Sequence, residues 1–538
     1  MTSNVVNMKE MVENRVKQTE NISGQKNGNP GSQGKKTGGS GSGIDSDFIM
    51  DCLNKNELGD GELFKKLYRN DFVLNLSMGS WMQWKGSYWE VDKNAAMALA
   101  SVEGVANVYH DEKKRLIQKK MNLESKGEDS GFLNAKIKML NMRIQALYTD
   151  RRRKNCLKFA YTSDSPLAID GVEIDQKPWL LPCKNGVINL KTGEREQGYQ
   201  DSFLSKHGPL TLPEDWFESK CPVWEKFLDE IFLENDQLIH FVQRLLGLSL
   251  IGKVIEHIFI VLSGRGRNGK GVLCNTIHGV LGPLAGQIRP EMMLDQGRIQ
   301  SSAGPSPDIM ALRGQRVSIA SELDKHAKGS PAKIKMLSGG DMLCARNPND
   351  KYEVNFQPSH TLFLQTNNDP HVPGDDFAFW ERMIKIPFTL SYVNREPRKD
   401  FERKADPYLQ DKLKTEYPAI LAWMVKGCLE YQRIGLAKPL VVKQAIEEYR
   451  QDEDVTGDFI RECCVLGDDY RINATKFYDA FSEWWQINIS NKVPKMKAFG
   501  TMLGDKFKKK KSSTVTYYGV KLLPAFDSSQ ETNQMFID

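Results

Sequence analysis

The sequence contains no apolar run long enough to span a bilayer, and its N-terminus lacks the apolar core of a secretory signal. No membrane association is expected, and the expected location is the cytoplasm of a bacterium or of a host cell. Cysteine is sparse: nine residues in 538, with Cys463-Cys464 the one close pair and no CxxC. Neither a zinc knuckle nor a disulfide framework is supported, and reduced thiols fit better. A dominant charge sign is missing too, since 74 Lys and Arg against 69 Asp and Glu leave only +5. Overall charge therefore says little about partners, and basic residues must be judged by where they cluster. Near the N-terminus Asp45 and Asp47 form the sole DxD, with no strand before them. Nucleotide polymerisation needs a carboxylate cluster on a sheet to hold two metals, so no priming activity is expected.

An apolar content of 40% and a charged content of 27% belong to a globular chain, and 538 residues exceed one ordinary core. Residues 1–44 run into GQKNGNPGSQGKKTGGSGSG and read as a flexible tail. Residues 45–200 read as a mixed α+β unit. Helical spacing precedes SWMQWKGSYWEVD, a hairpin whose Trp81, Trp84, Tyr88 and Trp89 either stack on unpaired bases or fill a core; alternation along a strand favours the core. The helical stretch 94–157 ends in RRRK at 151–154, read as a phosphate-backbone contact or as part of a solvated face. Asn185-Gly186 marks a strand pair. Two amphipathic helices within 201–253, CPVWEKFLDEIF and LIHFVQRLLGLSLIG, read as a collar.

The stretch 258–281, IFIVLSGRGRNGKGVLCNTIHGVL, organises the rest. An apolar strand, a Gly-rich turn and an apolar-periodic helix follow one another, which is the context of a phosphate loop. Gly264, Gly266 and Gly269 allow a tight turn with N–H groups pointing inward, and the helix dipole favours an anion at the same spot. The loop comprises Gly264, Arg265, Gly266, Arg267, Asn268, Gly269, Lys270, Gly271 and Val272. Lys270 is placed to reach terminal phosphates. Gly271 stands where Ser or Thr normally offers a hydroxyl to magnesium. The competing reading is a Gly-rich hairpin with a surface lysine.

Beyond the loop, the strand Val317–Ala320 runs into Glu322, the chosen carboxylate for polarising water and holding magnesium, with Asp324 as a second. Ser330, Pro331 and Gly339-Gly340 specify a short helix. Two strands around Asn347-Pro348-Asn349-Asp350 then form a hairpin, with Arg346 at its shoulder and Lys351 past its tip, suited to a phosphate backbone. TLFLQTNN places Asn367 at a strand exit, where an amide senses a terminal phosphate or orients water. Arg382 precedes another strand and is placed to reach the nucleotide of a neighbouring subunit.

GRGRNGKG, IASELD, the SGGD to ARN stretch and QTNNDP through FWERMIKIPF, in this order, resemble the superfamily III helicases. The likeness is to the phage and plasmid primase-helicase family that includes the poxvirus primase-helicase, and it covers residues from about 45 to 395. It implies an α/β P-loop, AAA+-like core at 254–395, with Lys270 in the first Walker motif and Glu322 in the second. The hairpin becomes the DNA-gripping element, Asn367 sensor one and Arg382 the arginine finger. ATP and Mg2+ are the implied cofactors and a hexamer the implied assembly.

Residues 396–440 read as a helical lid able to close over the nucleotide site, and 525–538 as a frayed tail. Residues 441–524 read as three helices and a β-ribbon, a winged helix whose third helix and wing present Lys495, Lys497, Lys506 and Lys508 to duplex DNA; the alternative is a packing module with a solvated lysine run. The chain is thus expected to be a ring-shaped ATP-dependent DNA helicase that replicates a phage, plasmid or other mobile element. Single-stranded and forked DNA are its expected partners, with other replication proteins beside them. A nucleotide-switched origin-binding or loading ATPase that does not unwind DNA is the alternative.

Overall fold

The computed structural model describes residues 44–295, 304–321, 328–348, 352–372, 376–489, 491–503, 506–511 and 514–526. Glu322, Asp324 and Lys351 lie outside them, as does nearly all of the two expected tails. The fold is mixed α/β, as expected.

In the N-terminal unit, helices Ser46–Asn54, Glu57–Tyr68, Ala96–Ser125, Gly131–Leu147 and Asp150–Thr162 pack on a sheet. Its strand order is Trp89–Val91, Ser80–Trp84, Phe72–Asn75, Ala168–Ile169. The hairpin lies where the turn residues predict it, with Met82 opposite Val91. Trp81 and Trp89 are buried in the core, so those two rings serve packing and not base stacking. The RRRK stretch is also largely structural. Arg152 donates to Asp60 at 2.7 Å and Arg153 to the Leu147 carbonyl at 3.0 Å, while Lys154 pairs with Asp150. Asp60 has no exposure and also accepts from Arg143 at 2.6 Å and from the Tyr109 hydroxyl at 3.0 Å.

The collar helices are Pro222–Ile231 and Asp236–Leu248. Proline opens the first, and the Glu416 carboxylate accepts from the Val223 and Trp224 N–H groups at 3.1 and 3.0 Å, covering donors that have no intrahelical acceptor. The second crosses helix Tyr417–Ile434 with backbones in contact. A Cβ on Gly247 would lie 2.1 Å from the Cys428 nitrogen, and one on Gly427 2.1 Å from the Gln243 carbonyl oxygen. Helix Tyr417–Ile434 is therefore not the lid expected of 396–440. Residues Ile420–Val425 are buried in an unbroken run, so the first half of the helix is covered all round and held in the collar core.

The following sheet is wholly parallel. Its strands are β1 (Phe259–Ser263), β2 (Ala285–Ile288), β3 (Val317–Ser321), β4 (Thr361–Thr366) and β5 (Met383–Pro387), and they lie in the order β5-β1-β4-β3-β2. Such strands are buried on both faces, hence the near-continuous apolar runs FIVL and LFL. Alternation assigns the faces. Ile260, Leu262, Ile319, Phe363 and Ile384 pack with the collar and with Leu273 and Ile277 of the post-loop helix Lys270–Leu281. Phe259, Val261, Ala320, Leu364 and Met383 pack with Ile334, Trp380 and Tyr449 on the other side. Tyr449 belongs to helix Leu440–Asp452 and meets Trp380 edge-on at 5.0 Å. The expected boundary at residue 441 thus moves, because this helix covers the sheet and the C-terminal unit starts at Val455.

That unit runs helix Val455–Cys463, strand Cys464–Asn473, helices Ala474–Asn488 and Met496–Met502, then strands Lys508–Lys511 and Val515–Leu522. Val515–Leu522 is the central strand of its antiparallel sheet. Phe459, Phe477, Phe481 and Phe499 are fully buried, the last two stacked at 4.2 Å. The third helix is shorter than the sequence pattern suggests.

Asp60→Ala is expected to cost about 3–5 kcal/mol in urea unfolding, because it strands two guanidinium groups that are nearly excluded from water.

Candidate functional site

The site forms at the C-terminal rim of β1, where the chain turns into helix Lys270–Leu281. A crevice beyond the carboxyl ends of parallel strands is where such sheets bind ligands. Two of the three loop glycines are required by geometry. Gly264 has φ +154° and a Cβ there would meet the Phe388 carbonyl oxygen at 2.2 Å; Gly269 has φ +92° and a Cβ would strike Ile231 of the collar at 2.8 Å. Gly266 is under no such demand, and Arg267 takes the left-handed backbone at φ +62° instead. Arg265 and Arg267 are exposed.

Lys270 retains only 3% exposure. Its Nζ donates to the Gly264 carbonyl, to Asn268 Oδ1 at 3.1 Å and to Asn367 Oδ1 at 3.2 Å. Asn268 is itself buried and holds the loop to the next strand through Nδ2 to the Phe388 carbonyl at 3.3 Å. Burial lowers the Lys270 pKa to about 8. The site is thus a desolvated ammonium beside the opening turn of a helix, whose first N–H groups have no intrahelical acceptor. Both features suit a polyphosphate. Gly271 and Val272 are half-buried in that first turn.

The structure brings Asn367 to Lys270 but not Arg382. Arg382 precedes Met383, which pairs with Phe259 at the start of β1, and so lies at the opposite rim of the sheet, about 16 Å away for five residues of strand. Its guanidinium donates to the Lys335 carbonyl at 3.4 Å. The strand expected to deliver Glu322 ends at Ser321, one strand removed from β1 because β4 is interposed. Arg346 follows the hairpin strand Leu343–Ala345, which pairs with Val354–Phe356, and is half-buried. Lys495 and Lys497 are exposed at the start of helix Met496–Met502, and Lys508 is exposed on an edge strand of four lysines. Lys506 is taken up by an ion pair with Asp454, the N-cap of helix Val455–Cys463. Among the described residues no group of three or more His, Cys, Asp or Glu converges on a metal position.

A brace under the site escapes motif reading. Asp369 accepts from Ser263 at 2.8 Å and from Lys385 at 2.6 Å, joining the ends of β1, β4 and β5 on the face opposite the post-loop helix. Lys385 also lies 4.6 Å from the centre of the Tyr449 ring, whose hydroxyl donates to the Pro370 carbonyl. The signal for this brace is a lysine inside the otherwise apolar strand MIKIP, since a charge there requires a partner.

Residues 61–233 match the family described as D5 N terminal like. The chain is 26% identical over 456 residues to "Putative helicase L207/L206" of Acanthamoeba polyphaga mimivirus, covering 81% of this chain and 46% of that protein. It is 23% identical over 509 residues to "Putative helicase 121R" of Invertebrate iridescent virus 3, covering 84% and 52%. The chain therefore spans about half the length of the curated relatives it matches. A solved structure of the NrS-1 C terminal region aligns with a TM-score of 0.36 at 12% identity, over 66% of this chain and 76% of the other. The match at residues 61–233 and the viral relatives uphold the resemblance to the primase-helicase family. No helix among the described residues is long and apolar enough to cross a membrane.

Asp369→Ala is expected to lower stability by roughly 1–3 kcal/mol in urea unfolding by leaving the Lys385 ammonium unpaired, and adding Lys385→Met is expected to recover part of it. Inorganic tripolyphosphate is expected to bind about tenfold more weakly at pH 9 than at pH 7. Above the Lys270 pKa of about 8 the free protein must take up a proton to present the charged ammonium, which titration calorimetry in two buffers will detect.

Proposed function

We propose that this chain, a relative of viral proteins named as helicases and bearer of a D5 N terminal like module, is an ATP-driven DNA helicase of the superfamily III type that works as a ring. The observation that carries the reading is the Lys270–Asn367 contact at the rim of a parallel sheet in which β4 separates the loop strand from the strand leading to Glu322. Two strand spacings, about 9–10 Å, separate the ends of β1 and β3, which suits a terminal phosphate and an attacking water between them.

Magnesium-ATP, when bound, supplies the phosphoryl group and a cation that offsets the charge developing during its transfer. Lys270 exchanges the Gly264, Asn268 and Asn367 oxygens for phosphate oxygens and loses little solvation in doing so, because it is already desolvated. Asn367, released from the ammonium, is free to orient water or report the terminal phosphate. Glu322 is assigned the proton of that water. Arg382, held at the rim away from its own loop, suits a site shared with the next subunit. Six subunits are the proposed ring.

The C-terminal unit, with its helices and the ribbon after helix Met496–Met502, supports a winged-helix reading. Lys495, Lys497 and Lys508 are its proposed contacts to a duplex backbone, and Arg346 and Lys351 those of the hairpin to single-stranded DNA. Lys506 is a weaker choice because Asp454 already engages it.

Strand separation is expected on a forked duplex with ATP and magnesium, and Lys270→Ala is expected to abolish it together with hydrolysis. Hydrolysis without separation would favour the loading protein. Lys270→Ala and Arg382→Ala subunits, each inactive alone, are expected to regain part of the ATPase rate when mixed, since some interfaces then carry both intact groups; no recovery would overturn the shared site.

A further inference from the structure

The glycine after the phosphate-loop lysine is not required by space. Gly271 opens helix Lys270–Leu281 with ordinary helical backbone, and a Cβ built on it would meet only one atom within 4 Å, Gln365 Nε2 at 4.0 Å. At Gly264 and Gly269 a side chain is excluded by neighbouring atoms and by backbone conformation. At Gly271 there is room for a serine, although glycine is a poor helix former. What faces that room is a carboxamide.

Three observations aim Gln365 at it. Gln365 is the next-to-last residue of β4 and lies in register with Leu262 of β1 on one side and Ser321 of β3 on the other, at the rim where the loop begins. Alternation puts it on the face of Phe363, which packs with Leu273 and Ile277 of the post-loop helix. Two residues further along the same face, Asn367 touches Lys270. Gln365 is also a polar interruption in the buried run LFLQT, and its side chain makes no hydrogen bond to another described residue. A carboxamide without a partner among the described residues, at the mouth of a phosphate loop, has both an acceptor oxygen and a donor nitrogen to offer, and either can be turned inward.

We infer that Gln365 reaches across from β4 into the space left by Gly271 and supplies the neutral oxygen for magnesium that a Ser or Thr hydroxyl provides in the usual loop. Amide carbonyl oxygens are suitable ligands for this hard cation. Glycine at 271 and glutamine at 365 then form one unit, since the first turn of the helix offers no side-chain oxygen and the amide supplies one. The inference rests on the proposal that the site takes magnesium-ATP.

The test is equilibrium binding of a fluorescent non-hydrolysable ATP analogue to the full chain, with magnesium and with EDTA. Gln365→Ala is expected to raise Kd roughly tenfold with magnesium and to leave the EDTA value unchanged. Gln365→Ala combined with Gly271→Ser is expected to return the magnesium value to near that of the unaltered chain, and this rescue excludes a folding defect as the cause. Three results overturn the inference: unchanged magnesium-dependent binding by Gln365→Ala, an equal loss with and without the metal, or no recovery on adding the serine. If the unaltered chain binds no nucleotide at all, the ATPase proposal falls first and this inference with it.

Discussion

The structure turns on keeping one charged lysine almost out of water. Lys270 is tolerated at 3% exposure because three oxygens converge on its ammonium, and each belongs to a different part of the architecture. Gly264 ends β1, Asn268 is the buried pivot of the loop and Asn367 leaves β4. A buried cation with such partners fixes the relative positions of all three. The loop must also press closely on its surroundings, on Phe388 beyond β5 and on Ile231 of the collar, where a single methyl group would intrude. The collar therefore forms part of the wall of the site.

Contacts run without a break from this site to the C-terminal unit. Asn367 is followed by Asp369, which bridges Ser263 and Lys385, and then by Pro370, which accepts from Tyr449. His371 and the Val372 N–H both meet the Glu453 carboxylate, at 3.1 Å each. Burial raises the Glu453 pKa, and the hydrogen bond from the Val372 N–H works against that rise. One residue later Asp454 caps helix Val455–Cys463 and pairs with Lys506. The segment that would register the state of the lysine is thus the segment that anchors the C-terminal unit. Under the proposed function, this path lets events at the loop reach the C-terminal unit.

Much of the chain's basic character is used in folding. Arg143 and Arg152 neutralise Asp60, and Arg316, buried before β3, donates to the Pro178 and Leu180 carbonyls and so ties the N-terminal half to the sheet. Lys495, Lys497 and Lys508–Lys511 stay in solvent instead. Four lysines along an edge strand also discourage pairing with a second copy, which is a sufficient reason for some of them to be there.

Local signals in the sequence determined the strand–loop–helix around Lys270, the N-terminal hairpin, the helix opened by Ser330 and Pro331, and the first two helices of the C-terminal unit, because each depends on neighbours within a few residues; strand Cys464–Asn473 and the pairing of Lys508–Lys511 as a strand were not legible. The place of Asn367 at a strand exit was legible too, but its contact with Lys270 was not. Tertiary structure alone decided which polar residues are spent on one another. Asp60 finds Arg143 and Arg152 some ninety residues away, Asp369 finds Lys385 in the next strand, and Lys506 is claimed by Asp454. It also decided that helix Tyr417–Ile434 is enclosed by the collar and that helix Leu440–Asp452 joins the sheet. The reason is physical: a spacing pattern states which face of an element must be covered or which charge needs a partner, but the identity of the cover or the partner follows from how the elements cross.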